Sequence, residues 1–357
     1  MKWITIDDTI IFGPEFNQKL DNGLISAYTK LIFSNYDLNK KLIEHFIKND
    51  SDYFNDFNEK LSEYYRNNNF DDLEYDISIF NRGVWTLPPH ITHLTFGYSF
   101  NQDVSCLPYN LKYLTFDYTF NCDVSELPPF LTHLTFGYSF NQDVSNLPPT
   151  LTNLIFGNNF NRDVSNLPST IIYLTFGKIF NRNIIKLPHS LTYLTFGNNF
   201  NQDVISLPHN LTHLTFGDKF NQNLISLPPT LTHLIIMTRE FNKQCIIPTN
   251  IKYLKLNCNN LHIIDNLPNS IIEFELGYYF NLEMNNLPTS IKILRIDKYS
   301  EYNADLNCLP NFIEELQLNR HYNKRILNIP KNLKKLICHY DYPYKNDFSI
   351  CTIETYK

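Results

Sequence analysis

Alanine occurs only at Ala27 and Ala304 in 357 residues, and glycine only 10 times. So little of the best helix former argues against a helical bundle. No apolar run approaches the ~18 residues of a membrane-spanning helix. The start, MKWITIDDTIIFG, puts Asp7 and Asp8 where a secretory leader needs an unbroken apolar core. A soluble intracellular protein, cytoplasmic and with no membrane partner, is expected. The seven cysteines (Cys106, Cys122, Cys245, Cys258, Cys308, Cys338, Cys351) are odd in number and form no CxxC pair. Neither a disulfide framework nor a zinc knuckle follows from such spacing. A basic excess is missing too. Residues 1–84 carry 9 Lys+Arg against 15 Asp+Glu, which leaves 21 of each sign in the remainder. No stripe of cations neutralises phosphates, so nucleic acid is not expected as a partner. The cluster Arg320, Lys324, Arg325, Lys331, Lys334 and Lys335 reads as a solvated face. Also absent are GxSxG, HExxH and a glycine-rich phosphate loop. No enzymatic activity and no cofactor are expected.

What is abundant suits strands. The chain holds 28 Phe and 23 Tyr, and aromatic and β-branched side chains pack well on a pleated surface. Hydrophobic residues make up 43%, enough for a core.

The phrase LTHLTFGYSFNQDVSNLP (131–148) nearly copies ITHLTFGYSFNQDVSCLP (91–108). Leu-Pro pairs recur at Leu87, Leu107, Leu127, Leu147, Leu167, Leu187, Leu207 and Leu227, and the series continues at Ile247, Leu267, Leu287, Leu309 and Ile329. The step is 20 residues except for one of 22, and 13 of 19 prolines sit in this register. A short fixed period predicts a solenoid of stacked coils. With the residue before Pro as position one, positions one, five, eight, ten, fourteen and eighteen are apolar: Leu87, Ile91, Leu94, Phe96, Phe100 and Val104 in the first unit. Positions five to ten predict a short strand with period-two alternation at its end. The remaining dozen residues leave no room for a helix of three turns, so an extended return is expected. Seven of the ten glycines occupy position eleven, with Asp117, Asn257, Asp297 and Asn319 as substitutes. These types tolerate positive φ, which predicts a corner of that conformation. The Phe-Asn pair that follows predicts an in-register ladder of amides satisfying buried backbone groups of the next coil.

This phrase resembles the FNIP repeat, a leucine-rich-repeat-like unit of social amoebae and amoeba-infecting giant viruses, over about Leu87 to Lys335. The resemblance implies a mainly β, leucine-rich-repeat-like solenoid with a parallel sheet on one face. It also implies a scaffold that binds proteins, in the host cytoplasm if the chain is viral. Similar chains often carry an N-terminal F-box and serve as presumed substrate adaptors for ubiquitin ligases. Residues 1–84 contain no Leu-Pro with which an F-box should open. The expected organisation is an N-terminal cap at 1–84, a solenoid at 85–340 and a tail at 341–357.

Two readings of the cap stand. IIFGPEFNQKL (10–20) copies the repeat core and LIFSNYDLNKKL (31–42) resembles it, which predicts degenerate coils. Leu38, Leu42 and Phe46, then Phe54, Phe57, Leu61, Tyr64 and Tyr65, have helical spacing. Repeats before Leu31 and one or two helices between Leu38 and Asn67 reconcile the two.

Positions seven and nine alternate with the core and form the exposed face of the sheet. Position seven runs His93, Tyr113, His133, Asn153, Tyr173, Tyr193, His213, His233, Tyr253, beside a mostly threonine column at position nine. The eight ring-bearing residues are the candidate partner-binding set, with a protein as partner and a monomer as the assembly. The same column can also be a plain stacking ladder, and His213 with His233 is a candidate metal pair lacking a third ligand. The alternative function is a hydrolytic or metal-dependent enzyme using the histidines or the row Asp103, Asp123, Asp143, Asp163 and Asp203. Those carboxylates are expected instead to bond turn backbone.

Overall fold

Backbone hydrogen bonds make the corners of the coils: two kinds recur along the array, and a third is made at Leu87 and Leu107. In the computed structural model, which describes residues 3–20, 22–35 and 78–357, the N–H of Ile91 bonds the carbonyl of Pro88 (3.2 Å), Phe100 bonds Gly97 (3.3 Å) and Leu107 bonds Val104 (3.3 Å). These are positions five to two, fourteen to eleven, and one to eighteen. Proline at position two contributes only its carbonyl to the turn, so its missing N–H costs nothing there.

The chain forms two compact units, residues 1–182 with 186–191, and 183–185 with 192–357. The first unit contains β1 (Trp3–Ile6), β2 (Thr9–Phe12), α1 (Asn22–Ile25), β3 (Lys30–Phe33), β4 (His93–Thr95), β5 (Tyr113–Thr115), β6 (His133–Thr135), β7 (Asn153–Ile155) and β8 (Tyr173–Thr175). β1 and β2 are an antiparallel hairpin, and from β2 to β8 each strand pairs in parallel with the next. The second unit contains β9 (Tyr193–Thr195), β10 (His213–Phe216), β11 (His233–Ile236), β12 (Tyr253–Leu256), α2 (Leu261–Asp265), β13 (Glu273–Leu276), β14 (Ile293–Ile296), β15 (Glu315–Gln317), β16 (Lys335–His339) and β17 (Thr352–Tyr356). Its strands are parallel throughout, each to the next. The register equals the repeat, Leu114 facing Leu134 and Leu214 facing Leu234. Residues 341–357, expected as a tail, carry the last strand.

Of the six apolar positions in the first repeat, Ile91, Leu94, Phe96, Phe100 and Val104 are buried and Leu87 is half-buried. Within a coil, Phe116 and Phe120 stack at 3.7 Å between centroids, and Phe120 meets Phe140 of the next coil at 6.1 Å. A coil alone cannot enclose such rings, so each depends on its neighbours.

Three further expectations need correction. The strands span positions seven to nine or ten rather than five to ten. Position-eleven residues do not take positive φ, and among the described residues only Asp7, at φ 49° in the β1–β2 turn, does so. Glycine is needed for space: a Cβ on Gly137, Gly157 or Gly177 would overlap the backbone carbonyl of the coil before it. Where Asn257 replaces glycine, its Nδ2 donates to Met237 O (2.8 Å) and its Oδ1 accepts from Tyr279 N (2.9 Å), so the larger side chain takes over contacts to both neighbours. The asparagine ladder exists, with Asn121 N donating to Asn101 Oδ1 (2.9 Å), Asn141 N to Asn121 Oδ1 (2.8 Å) and Asn161 N to Asn141 Oδ1 (3.0 Å). It runs along a half-exposed corner rather than in the core. The residue after each asparagine joins it: Gln142 Nε2 and Arg162 Nε donate to Asn121 O and Asn141 O (both 2.9 Å).

At the N-terminus, β2 and β3 occupy the repeat register, Leu31 facing Leu94, so degenerate coils do precede the regular ones. The helices expected between Leu38 and Asn67 fall outside the described residues.

Candidate functional site

Position-seven side chains point away from the core because they alternate with the buried leucine at position eight. Their rings stack into columns. In the first unit His93 lies on Tyr113 (centroids 4.3 Å, planes 6° apart) and Tyr113 on His133 (4.2 Å). In the second, Tyr193, His213 and His233 stack at successive 4.0 Å steps, and Tyr253 follows at 5.7 Å. Tyr173 is 42% exposed, and Asn153 separates it in sequence from the first three rings. Stacking covers the ring faces, so the columns present edges and polar tips.

Threonine at position six orients each imidazole. The hydroxyls of Thr92, Thr132, Thr212 and Thr232 lie 2.8–2.9 Å from Nδ1 of the next histidine. The same hydroxyls reach the carbonyls of Thr29, Lys112, Thr192 and Thr212 in the coil before, at 3.1–3.4 Å. One arrangement of protons satisfies both contacts: the hydroxyl donates to the carbonyl, Nδ1–H donates to the hydroxyl, and Nε2 is left as an outward acceptor. Burial, reinforced by the charge of Lys30, holds His93 down at about 4. Burial and the adjacent His233 hold His213 at about 4, and burial lowers His233 as well. These three imidazoles are neutral near pH 7.

Parallel stacked rings cannot converge on one ion, and among the described residues no group of three or more His, Cys, Asp or Glu is placed to hold a metal. The aspartate row is committed to the turn that it precedes. Asp103 accepts from Ser105 N (3.0 Å) and Ser105 Oγ (2.9 Å), and Asp163 accepts from Ser165 N (3.2 Å) and Oγ (2.6 Å). These bonds lower both carboxyls, the Ser105 N–H leading for Asp103 and the Ser165 hydroxyl for Asp163.

Two features escaped the column reading. Tyr98, Tyr118 and Tyr138 at position twelve form a second stack, at 4.6 Å per step, which three consecutive tyrosines in one register could have revealed. Beyond Tyr253 the face turns ionic. Tyr253 Oη donates to Glu275 (2.7 Å), Lys255 pairs with Glu275 (2.5 Å), and Arg295 bridges Glu273 and Glu315. Burial and that bond to Glu275 raise the Tyr253 phenol.

No helix among the described residues is long and apolar enough to cross a membrane. A search of curated proteins gives no match. Among solved structures, CroV588, described as a novel circular LRR protein from a giant virus, is 31% identical with a TM-score of 0.63 over 94% of this chain and 50% of its own. The chain thus spans about half the length of that relative. The InlJ functional domain of Listeria monocytogenes is 18% identical over 79% of this chain and 68% of its own (TM-score 0.49). YopM of Yersinia enterocolitica is 22% identical over 71% and 60% (TM-score 0.44). The FNIP Repeat family matches at residues 84–119, 143–179, 180–219, 203–239, 241–279 and 302–342. With that match over more than half of its length, and with its coils built as leucine-rich-repeat-like solenoids, the chain belongs to the FNIP repeat family.

Proposed function

We propose that the ring columns at position seven are the recognition surface of a protein-binding scaffold. The observation that carries this reading is the geometry of the column, stacked imidazoles and phenols on the exposed face, with a threonine hydroxyl beside each histidine. Rigid aromatic side chains lose little entropy on binding and commonly anchor interfaces. A leucine-rich-repeat-like solenoid supports the same reading, because it offers an extended regular surface. A substrate-adaptor role is a narrower version, for which the resemblance alone speaks.

The test replaces Tyr173, Tyr193, His213 and His233 together with Thr and compares partners captured from lysate with those of the parent protein. Strand propensity is retained, so folding should hold while capture falls steeply. Glutamines such as Gln142 are unsuitable controls because they bond the ladder. Asn146, Asn166, Ser206 and Ser226, exposed at position twenty, serve instead when changed to Ala. Early unfolding of the face variant, or undiminished capture, would leave the column as a stacking ladder only.

A further inference from the structure

In four coils of the second unit the ladder of backbone bonds continues one residue past the face. Position-eleven N–H groups donate to the position-ten carbonyls of the coil before: Met237 to Phe216 (2.9 Å), Asn257 to Ile236 (2.9 Å), Gly277 to Leu256 (2.7 Å) and Asp297 to Leu276 (2.8 Å). Around Gly137 and Gly157 in the first unit the coils stay close at this position, but those bonds are not made. Among the described residues no protein group bonds the N–H of Gly137 or Gly157, or the carbonyl of Phe116 or Phe136. These groups line a slot of about 320 Å³ together with Thr115, Thr135, Tyr138 and Asn158. Each coil that donates the extra bond carries Ile236, Leu256, Leu276 or Ile296 at position ten, whereas every coil around the slot carries phenylalanine there.

The side chains around the slot change together. Over three coils position seven is His93, Tyr113, His133, position nine is Thr95, Thr115, Thr135, and position twelve is Tyr98, Tyr118, Tyr138. In the next coil all three switch at once, to Asn153, Ile155 and Asn158, while Leu154 and Phe156 of the core do not. Position twelve loses its ring at that coil, so the Tyr138 face turned toward Asn158 has no ring against it. Tyr138 is 39% exposed.

We infer that this slot is a binding site for an uncharged sugar ring, free or at the end of a glycan chain, seated on Tyr138. Alternating N–H and C=O groups flanked by hydroxyls call for a ligand whose groups both donate and accept, as hydroxyls do. The only carboxylate in the lining, Asp117, accepts from Asn35 Nδ2 (2.6 Å) and Tyr118 N (2.7 Å), which disfavours an ionic ligand. The volume lies at the small end of ligand sites, about 300–1,000 Å³, and suits one or two rings. An aromatic face gives the C–H side of a pyranose its apolar contact. The inference stands apart from the protein-binding reading, since the slot lies between positions nine and twelve and the ring column at position seven.

The test is ligand-observed NMR titration of the full chain with glucose, galactose, N-acetylglucosamine, cellotetraose and chitotetraose. At least one should bind saturably at millimolar concentration or below, and a preference for the tetrasaccharides would identify a chain as the source. Tyr138→Asn copies the residue that the next coil carries, so it should melt close to the parent and weaken binding by about tenfold or more, the worth of about 1.4 kcal/mol. Tyr299→Asn, at an exposed tyrosine of the second unit, should leave binding unchanged. Absence of saturable binding by all five sugars, which would make the slot a place for water alone, overturns the inference. So does binding that Tyr138→Asn leaves intact in a folded protein.

Discussion

The carbonyl oxygen of Gly137 occupies the place where a Cβ on Gly157 would go. The obstacle is backbone of the adjacent coil, held by the strand pairing beneath it, and it cannot swing aside. Gly157→Ala is therefore expected to cost about 1–3 kcal/mol, the usual range for forced overpacking. At Gly83 the added Cβ would meet only the Trp85 ring (2.9 Å), whose side chain is 68% exposed and can move. Gly83→Ala should stay within about 0.5 kcal/mol of the parent. Denaturant midpoints of the two variants decide it, and similar losses would contradict the close-approach account.

Asn161 accepts from Asn181 N (3.1 Å) and donates its own N–H to Asn141 Oδ1 (3.0 Å). Asn161→Leu leaves the Asn181 N–H to water, because this corner is half-exposed. The expected loss is about 1 kcal/mol, the net value of one hydrogen bond. Asn323→Leu, near the last coils, should cost less, and equal losses would argue against a cooperative ladder.

Tyr302, Tyr322 and Tyr342 stand where other coils carry Phe. The hydroxyls of Tyr302 and Tyr322 are buried without a hydrogen-bond partner, whereas Tyr342 Oη donates to Lys324 O (3.0 Å). Removing an orphaned buried hydroxyl relieves a desolvation penalty. Tyr302→Phe and Tyr322→Phe are expected to stabilise by up to about 1 kcal/mol each, and Tyr342→Phe to destabilise by about the same. Thermal melts that rank the three alike would refute the distinction.

Acid should weaken the fold before carboxylates protonate. His93 and His213 titrate at about 4 when folded and at about 6.5 when unfolded. Between these values the unfolded chain binds more protons, so stability falls as pH drops from about 6.5 to about 4 and the loss then levels off. Melting temperature should decline across that window by a few degrees, about 2–4 °C per kcal/mol. Replacing both residues with Asn, which this column already carries at Asn153, should flatten the decline, and an unchanged slope would overturn the assignment.

The parallel sheet and its register were legible because proline and leucine mark every coil in the same place. The reason for glycine at position eleven was not, since freedom in φ and lack of space both select that residue, and only the position of the Gly137 carbonyl separates them. The bonding of the aspartate row to turn backbone was legible from its place two residues after the asparagine in a tight connection. Glu273 and Arg295 are 22 residues apart and meet diagonally between columns, so a reading column by column missed them. The slot beside Tyr138 depends on where backbone bonds stop.

From Asn121 to Asn181 the asparagine ladder passes each N–H to the asparagine one coil back, and each link needs only that the preceding coil be of the same kind. Joining Phe120 directly to Asn141 by removing residues 121–140 would give the Asn141 N–H the side-chain Oδ1 of Asn101 in place of that of Asn121. A gene encoding such a chain can lose or duplicate a 60-nucleotide block by unequal crossing-over without presenting the fold with a new problem. Recombination can then reorder what positions seven, nine and twelve display while the backing stays constant, so surface specificity in such a lineage can change faster than architecture.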